Sequence, residues 1–210
     1  MTATREASRG VGKPRGSYAK TEQKRIEILD AALEVFAQSG YRSGSIRDIA
    51  AKIGMSEAGL LHHFPNKSAL LAAVLDRRDD QASERFPIDL RRLGGRAAVS
   101  GLLELAAYNA STPNVVALYC ILSAEGTSPT HPAHAYFINR YQAARGIFED
   151  VFTTLQNDGD LRNDVSPASA ARSTIAMMDG LQIQWLLDRT SVNMTEELRQ
   201  FFRGIVNYDI

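Results

Sequence analysis

Apolar residues recur at spacings of three and four along most of this 210-residue chain, and no stretch alternates convincingly enough to predict a strand. Over residues 21–39, Ile26, Leu29, Leu33 and Phe36 trace one face of a helix, with Thr21 as its cap and Glu22 in its first turn. Gly40 ends that helix, and Tyr41 can close over the core behind it. Ser45 then caps a short helix whose inward positions are Ile46, Ile49, Ala50 and Ile53. Ser56 caps a third, in which Leu60, Leu61 and Phe64 form the inward face and Glu57, Ala58, Gly59, His62 and His63 look outward until Pro65 stops it. Ala50 and Gly54 stand four apart, where steeply crossing helices need a small side chain on the first and a permissive backbone at the turn.

Beyond Asn66 the pattern remains helical. Asn66 caps a helix carrying Leu70, Leu71, Val74 and Leu75 that runs to about Arg85 and ends near Pro87. Further helices are predicted at about 94–111, 114–125, 132–158, 167–188 and 195–208. They are divided by Thr112-Pro113, Ser128-Pro129, Asn157-Asp158-Gly159 and Ser166-Pro167. There are no repeats and no linker long enough to separate independent units. The fold class is therefore all-α with about nine helices. A three-helix, helix-turn-helix domain at 21–67 precedes a helical domain at 68–210.

A helix-turn-helix puts the start of its second helix into the major groove, where small or polar side chains reach base edges. Glu57, Ala58 and Gly59 occupy that start. His62 and His63 lie about one turn on, within reach of the sugar-phosphate backbone, and Lys67 opens the next helix where a cation and free amide groups coincide. The run ILDAALEVFAQSGYRSGSIRDIAAKIGMSEAGLLHHFPNKSALLAAVL closely resembles the amino-terminal domain of the TetR (tetracycline-repressor-like) transcriptional regulators, a match over roughly residues 21–75. The resemblance implies phosphate contacts from Ser45, Arg47, His62, His63 and Lys67 and base-proximal positions at Glu57, Ala58 and Gly59. Ser56 and Leu61 complete the expected DNA-binding set. Leu61 departs from the tyrosine that many members carry there, so it can offer only an apolar contact to a thymine methyl, or packing.

Composition changes this picture in two places. The formal charge is zero, yet residues 1–67 hold eleven Lys or Arg against seven Asp or Glu, about +4, and the remainder is about −4. Residues 1–20, with Arg5, Arg9, Lys13, Arg15 and Lys20 among Gly and Ser, read as a disordered basic arm that can lie along phosphate or enter a minor groove. No run of about 18 apolar residues exists, the amino terminus lacks a signal-peptide stretch, and Cys120 is the one cysteine, which together point to a cytoplasmic protein without membrane contact.

The last two helices are apolar on more than one side, through Ile175, Met178, Leu181, Ile183, Trp185, Leu186 and Leu187 in one and Leu198, Phe201, Phe202, Ile205 and Val206 in the other. That pattern predicts a homodimer formed through both, a four-helix interface about a twofold axis that lets two recognition helices read a palindromic operator. Tyr108, Tyr119, Glu125, Phe137, Tyr141, Met178, Gln182 and Trp185 are the candidate lining of a pocket for a small-molecule effector of unspecified identity. The expected function is a sequence-specific transcriptional regulator, a repressor released from double-stranded DNA by that effector, with no cofactor and no catalysis. Two alternatives stand beside it: a DNA-binding protein without an effector, and a metal-binding helical enzyme using His131 and His134 with Glu125 upstream.

Overall fold

The computed structural model describes residues 15–85 and 89–210, with side chains from Ala19 onward. These residues form α1 (Arg15–Ser43), α2 (Ile46–Lys52), α3 (Glu57–His63), α4 (Lys67–Arg85), the single turn α5 (Leu90–Leu93), α6 (Gly95–Ala110), α7 (Pro113–Glu125), α8 (His134–Asn157), α9 (Pro167–Leu187) and α10 (Met194–Arg203). The extended pairing among them is one isolated bridge, Leu161 with Val206. The all-α architecture agrees with the periodicity, and several boundaries fall where the local chemistry puts them. Asp48 N–H donates to Ser45 Oγ at 3.0 Å, Gly59 N–H to Ser56 Oγ at 3.1 Å and Ala69 N–H to Asn66 Oδ1 at 2.8 Å. Pro113 and Pro167 occupy first-turn positions where a missing N–H costs nothing.

Two ends differ from the pattern. Helix α1 starts at Arg15 and runs through Thr21, so Thr21 lies within the helix rather than at its start, and the last six residues of the expected arm are helical. Residues 1–14, where the rest of that arm was expected, lie outside the described residues. Helix α10 stops at Arg203 because the chain turns to pair with the loop before α9: Arg162 N–H donates to Ile205 O at 3.0 Å and Asn207 N–H to Asp160 O at 2.8 Å.

Two apolar cores share one wall. The first joins Ile28 and Phe36 of α1, Ile49 and Ala50 of α2, Leu60 and Phe64 of α3, and Leu70, Leu71 and Val74 of α4. It continues without a break into Leu118 and Leu122 of α7 and Phe137 of α8. The second collects Val99 and Leu102 of α6, Val116 of α7, Val151 and Phe152 of α8, Leu181 and Trp185 of α9, and Leu198 and Phe202 of α10. Helix α7 therefore has no polar side: it gives Leu118, Tyr119 and Leu122 to one core and Val116 and Cys120 to the other. Burial of Leu118 and Leu122 alone is worth about 1.5–3 kcal/mol each relative to exposure. The helix-turn-helix head and the body are thus packed together along α1 and α7, and Lys67, at the expected domain boundary, marks the start of a helix rather than the edge of a core.

The dimerisation expectation changes in one respect. The apolar stripe of α10 is spent internally, since Met194, Leu198 and Phe202 are buried against the protomer's own core. The large apolar side chains left in solvent on the body helices α8 and α9 are Ile138 of α8 and Ile183 and Leu187 of α9, at 44%, 51% and 83% exposure. Among the described residues the large exposed apolar side chains of the body helices thus stand on α8 and α9, and none stands on α10.

Candidate nucleic-acid interface and effector region

Helices α2 and α3 meet at a tight turn in which Ala50, 1% exposed, accepts the Met55 N–H at 2.9 Å and the Ile53 N–H at 3.2 Å. Gly54 supplies a φ of +63° there, and a Cβ at that position would touch nothing, so the glycine is required by backbone conformation rather than by space. With Leu60 fully buried and Phe64 almost so, α3 can turn only one face outward. That face holds Ser56, Glu57, Ala58, Leu61 and His62, with Gly59 and His63 at its margins. Leu61 is 37% exposed and so does not belong to the inward set in which the spacing placed it. Of two adjacent leucines on a seven-residue helix, only one can face the core.

The neighbouring donors are arranged around this face. The hydroxyls of Ser45 and Ser56 accept backbone N–H groups as caps, which leaves each O–H proton available to an outside acceptor. Arg47 is exposed one residue into α2. Burial first, and then the nearby charges of His62, Arg25 and Lys24, hold the His63 imidazole below its usual range. The Lys67 ammonium donates one N–H to Arg42 O at 3.2 Å and sits 4.5 Å from the centre of the Tyr41 ring, with donors to spare. Sequence spacing missed Arg25. From α1 it donates to His63 O at 2.8 Å and lies 4.4 Å from the centre of the Phe64 ring, holding the end of α3 against the head. The only hint was a cation one residue before Ile26 on the helix that packs behind.

The residues proposed to line an effector pocket divide among several places. Glu125 is at the junction of head and body, where its carboxylate accepts the Tyr41 N–H at 2.7 Å and the Arg42 N–H at 3.2 Å. Tyr119 and Phe137 meet between α4, α7 and α8 with three residues that the spacing did not single out, Asp79, Tyr136 and Arg140. There the Tyr119 hydroxyl donates to Asp79 Oδ1 at 2.9 Å and the Tyr136 hydroxyl to Asp79 Oδ2 at 2.9 Å, while the guanidiniums of Arg78 and Arg140 lie 4.5 and 4.3 Å from the Tyr119 ring centre. Tyr141 donates to Asp179 at 2.8 Å between α8 and α9, and burial raises the Asp179 carboxyl above its ordinary range. Trp185 is buried in the second core beneath Arg189, Met178 packs against that core, Gln182 is half-buried on α9, and Tyr108 is half-buried on α6. A separate open groove of about 450 Å³ lies between α6 and the carboxy-terminal segment, lined by residues such as Val99, Leu103, Arg199 and Tyr208, none of them in the predicted set.

The metal alternative finds no support in this arrangement. His134 Nδ1 is 2.7 Å from Gly126 O, and His131 Nδ1 accepts the Ala133 N–H at 3.2 Å, so each imidazole has one nitrogen engaged with backbone. Among the described residues no group of three or more His, Cys, Asp or Glu is placed to share an ion. The Cys120 thiol is pushed up to about 11 by burial and secondarily by Asp179, which leaves it a poor nucleophile. No helix among the described residues is long and apolar enough to cross a membrane.

Comparison with known proteins agrees with this geometry. Residues 28–74 match the model for bacterial regulatory proteins of the tetR family, and residues 122–206 match that for the carboxy-terminal part of BetI-type transcriptional repressors. The HTH-type transcriptional regulator UidR of Escherichia coli K12 is 26% identical over 165 residues, spanning 77% of this chain and 81% of UidR. NalD, the secondary repressor of the MexAB-OprM multidrug efflux pump in Pseudomonas aeruginosa, superposes with a TM-score of 0.66 over 89% of this chain and 98% of its own, at 23% identity, a likeness of fold. A candidate transcriptional regulator from Saccharomonospora viridis in complex with choline superposes with a TM-score of 0.65 at 26% identity, over 89% of this chain and all of its own.

Proposed function

The chain belongs to the TetR family of bacterial regulatory proteins, and from that premise we propose that it is a homodimeric repressor that occupies a palindromic operator and is released from it by a small organic effector. One observation carries the DNA-reading half. The solvent face of α3 presents Glu57, Ala58, an apolar Leu61 and His62 together, on a helix pinned from behind by Leu60, Phe64 and Arg25. Leu61 on that face is placed to meet a thymine methyl in the major groove, beside the polar side chains that reach base edges. Ser45, Arg47, His63 and Lys67 flank that face as the phosphate-contacting set, and Ser56 and Gly59 shape its leading edge.

The body supplies pairing and control. The Tyr141–Asp179 hydrogen bond sets the register of α8 against α9, so that Ile138, three residues before Tyr141, and Ile183, four after Asp179, lie toward one end of the pair with Leu187 beyond them. A second copy covering this patch holds two α3 helices about one DNA turn apart, roughly 34 Å or a multiple. The effector binds in the body near the Tyr119, Phe137, Tyr141 region, and Asp79 makes α4 responsive to it because that helix runs directly from the head. A tenfold change in operator occupancy requires the effector to prefer the DNA-incompetent state by about 1.4 kcal/mol. The family consists of transcriptional regulators rather than enzymes, and the site of action is the cytoplasm, where the chromosome is.

The test is selection of operators from random duplex DNA with the full chain, followed by anisotropy titration. Saturable binding with a two-protomer stoichiometry and strong sequence preference at about 0.15 M salt is expected. Equal affinity for selected and scrambled duplexes would remove the operator reading. Arg47→Ala and Lys67→Ala should each weaken binding to every sequence and lower the salt slope by roughly one unit for each phosphate that a subunit no longer neutralises. Glu57→Ala should relax preference at a single base position.

A further inference from the structure

The last turn of α1, beyond a kink at Gly40, is gripped from two sides, and one of the grips comes from the body. At Gly40 the backbone departs from helical angles, and the amides of Tyr41 and Arg42 beyond it point at the Glu125 carboxylate at the end of α7, at 2.7 and 3.2 Å, across 84 and 83 positions of sequence. Lys67, at the start of α4, takes the Arg42 carbonyl oxygen from the other side at 3.2 Å. The space around Glu125 is closed. A Cβ on Gly40 would come within 2.6 Å of Glu125 Oε1 and 3.0 Å of Ile121 Cγ2. Behind the carboxylate stands His131, only 6% exposed, whose Nδ1 accepts the Ala133 N–H. Neutral His131 must then carry its proton on Nε2, which faces Glu125 Oε2 at 3.4 Å and has no other partner. The Tyr41 ring lies edge-on to that imidazole, 5.0 Å between centres.

We propose that Glu125 is a positioning residue for DNA reading: its carboxylate, backed by His131, fixes the angle at which α2 and α3 leave the body. The covalent path from body to head runs through α4 alone. Glu125 provides a second attachment directly in front of α2, so that α7, the wall shared by both cores, sets the pose of the recognition helix. Two hydrogen bonds from main-chain N–H groups to one anionic acceptor resist rotation about the loop in a way that apolar packing does not, because they have direction. The orientation they hold is repeated in a second protomer, so a small angular error in each head becomes a mismatch between two half-sites. This role rests on the operator reading above, although the clamp itself is measurable without DNA.

The experiment compares the full-length wild type with Glu125→Ala and the volume-conserving Glu125→Gln. Hydrogen exchange is followed by mass spectrometry, and anisotropy is measured on a selected operator duplex. Loss of hydrogen bonds to a charged acceptor should speed amide exchange in the peptide covering residues 40–44 by about tenfold in Glu125→Ala, with exchange in α3 and α9 unchanged. Operator affinity should fall at least fivefold with an unchanged salt slope, since every phosphate-binding side chain is retained. Glu125→Gln, which keeps one acceptor oxygen, should lie between the two. Wild-type exchange at residues 40–44 in Glu125→Ala overturns the clamp whatever happens to DNA binding. Faster exchange there with wild-type operator affinity overturns the positioning role. Absence of sequence-specific binding by the wild type instead removes the operator reading and leaves the clamp to be judged on exchange alone.

Discussion

Gly40 and Gly54 both have positive φ, at +71° and +63°, yet alanine at the two positions should have very different consequences. At Gly54 an added Cβ meets nothing within 4 Å, so Gly54→Ala bears only the left-handed backbone penalty of about 1–2 kcal/mol. At Gly40 the ψ of 179° places the residue in a region essentially reserved for glycine, at a cost of about 1–3 kcal/mol. The new methyl would also stand 2.6 Å from Glu125 Oε1, inside any tolerable contact, and the carboxylate would have to withdraw from the Tyr41 and Arg42 amides. Hydrogen bonds to charged groups are worth about 1.5–3 kcal/mol each, and water recovers part of that loss at this half-exposed loop. The total for Gly40→Ala is then about 3–5 kcal/mol, against about 1–2 for Gly54→Ala. Urea unfolding monitored by circular dichroism, with both variants on one wild-type baseline, measures the difference. Equal destabilisation of the two variants would refute the argument that the Glu125 contact, and not backbone conformation alone, makes Gly40 obligatory.

The other expectations concern separate surfaces. Leu60→Ala, at a fully buried position, should cost about 2–5 kcal/mol in the same unfolding assay. Leu61→Ala should stay within about 0.5 kcal/mol and instead reduce preference at one or two base positions in anisotropy competition. The double substitution Ile183→Asp with Leu187→Asp should yield a monomer by analytical ultracentrifugation with its helical circular dichroism intact, whereas a dimer persisting at micromolar concentration would place the interface elsewhere. The Cys120 thiol ionises near 8.5 in the unfolded chain and near 11 when folded, so the unfolded state releases its proton first as pH rises. Stability should therefore decline between about pH 8.5 and 11, and the decline should be shallower in Cys120→Ala when urea midpoints are measured across that range.

Most of the architecture was legible because it is written in local signals. Ser45, Ser56, Asn66 and Ser166 accept cap hydrogen bonds at the starts of their helices, and the periodic leucines and isoleucines between them need only one face buried. Periodicity could not tell which of Leu60 and Leu61 faces inward, because the direction of the stripe on a seven-residue helix is set by the helix it crosses. It also gave α10 a second apolar face that the turn at Ile205 and Val206 folds back into the protomer's own core. The connections around Glu125 and Asp79 were out of reach for a different reason. Their hydrogen-bond partners stand 40 or more positions away, and a carboxylate looks the same in sequence whether it lines a pocket, holds a loop or is solvated. Nothing local marked Tyr136 or Arg140 either, and Arg25 only faintly, since each owes its role to the element packed against it.

Because the first core runs unbroken from the head into α7 and α8, the head is not a detachable module. A fragment ending after α4 would leave bare the surface that Leu118, Leu122 and Phe137 cover, and such a piece should aggregate or melt rather than bind DNA weakly. Chimaeras that graft this head onto a foreign sensor should succeed only when the α7 segment travels with it. Exchange of parts among relatives is thereby constrained to seams that are not contiguous along the gene.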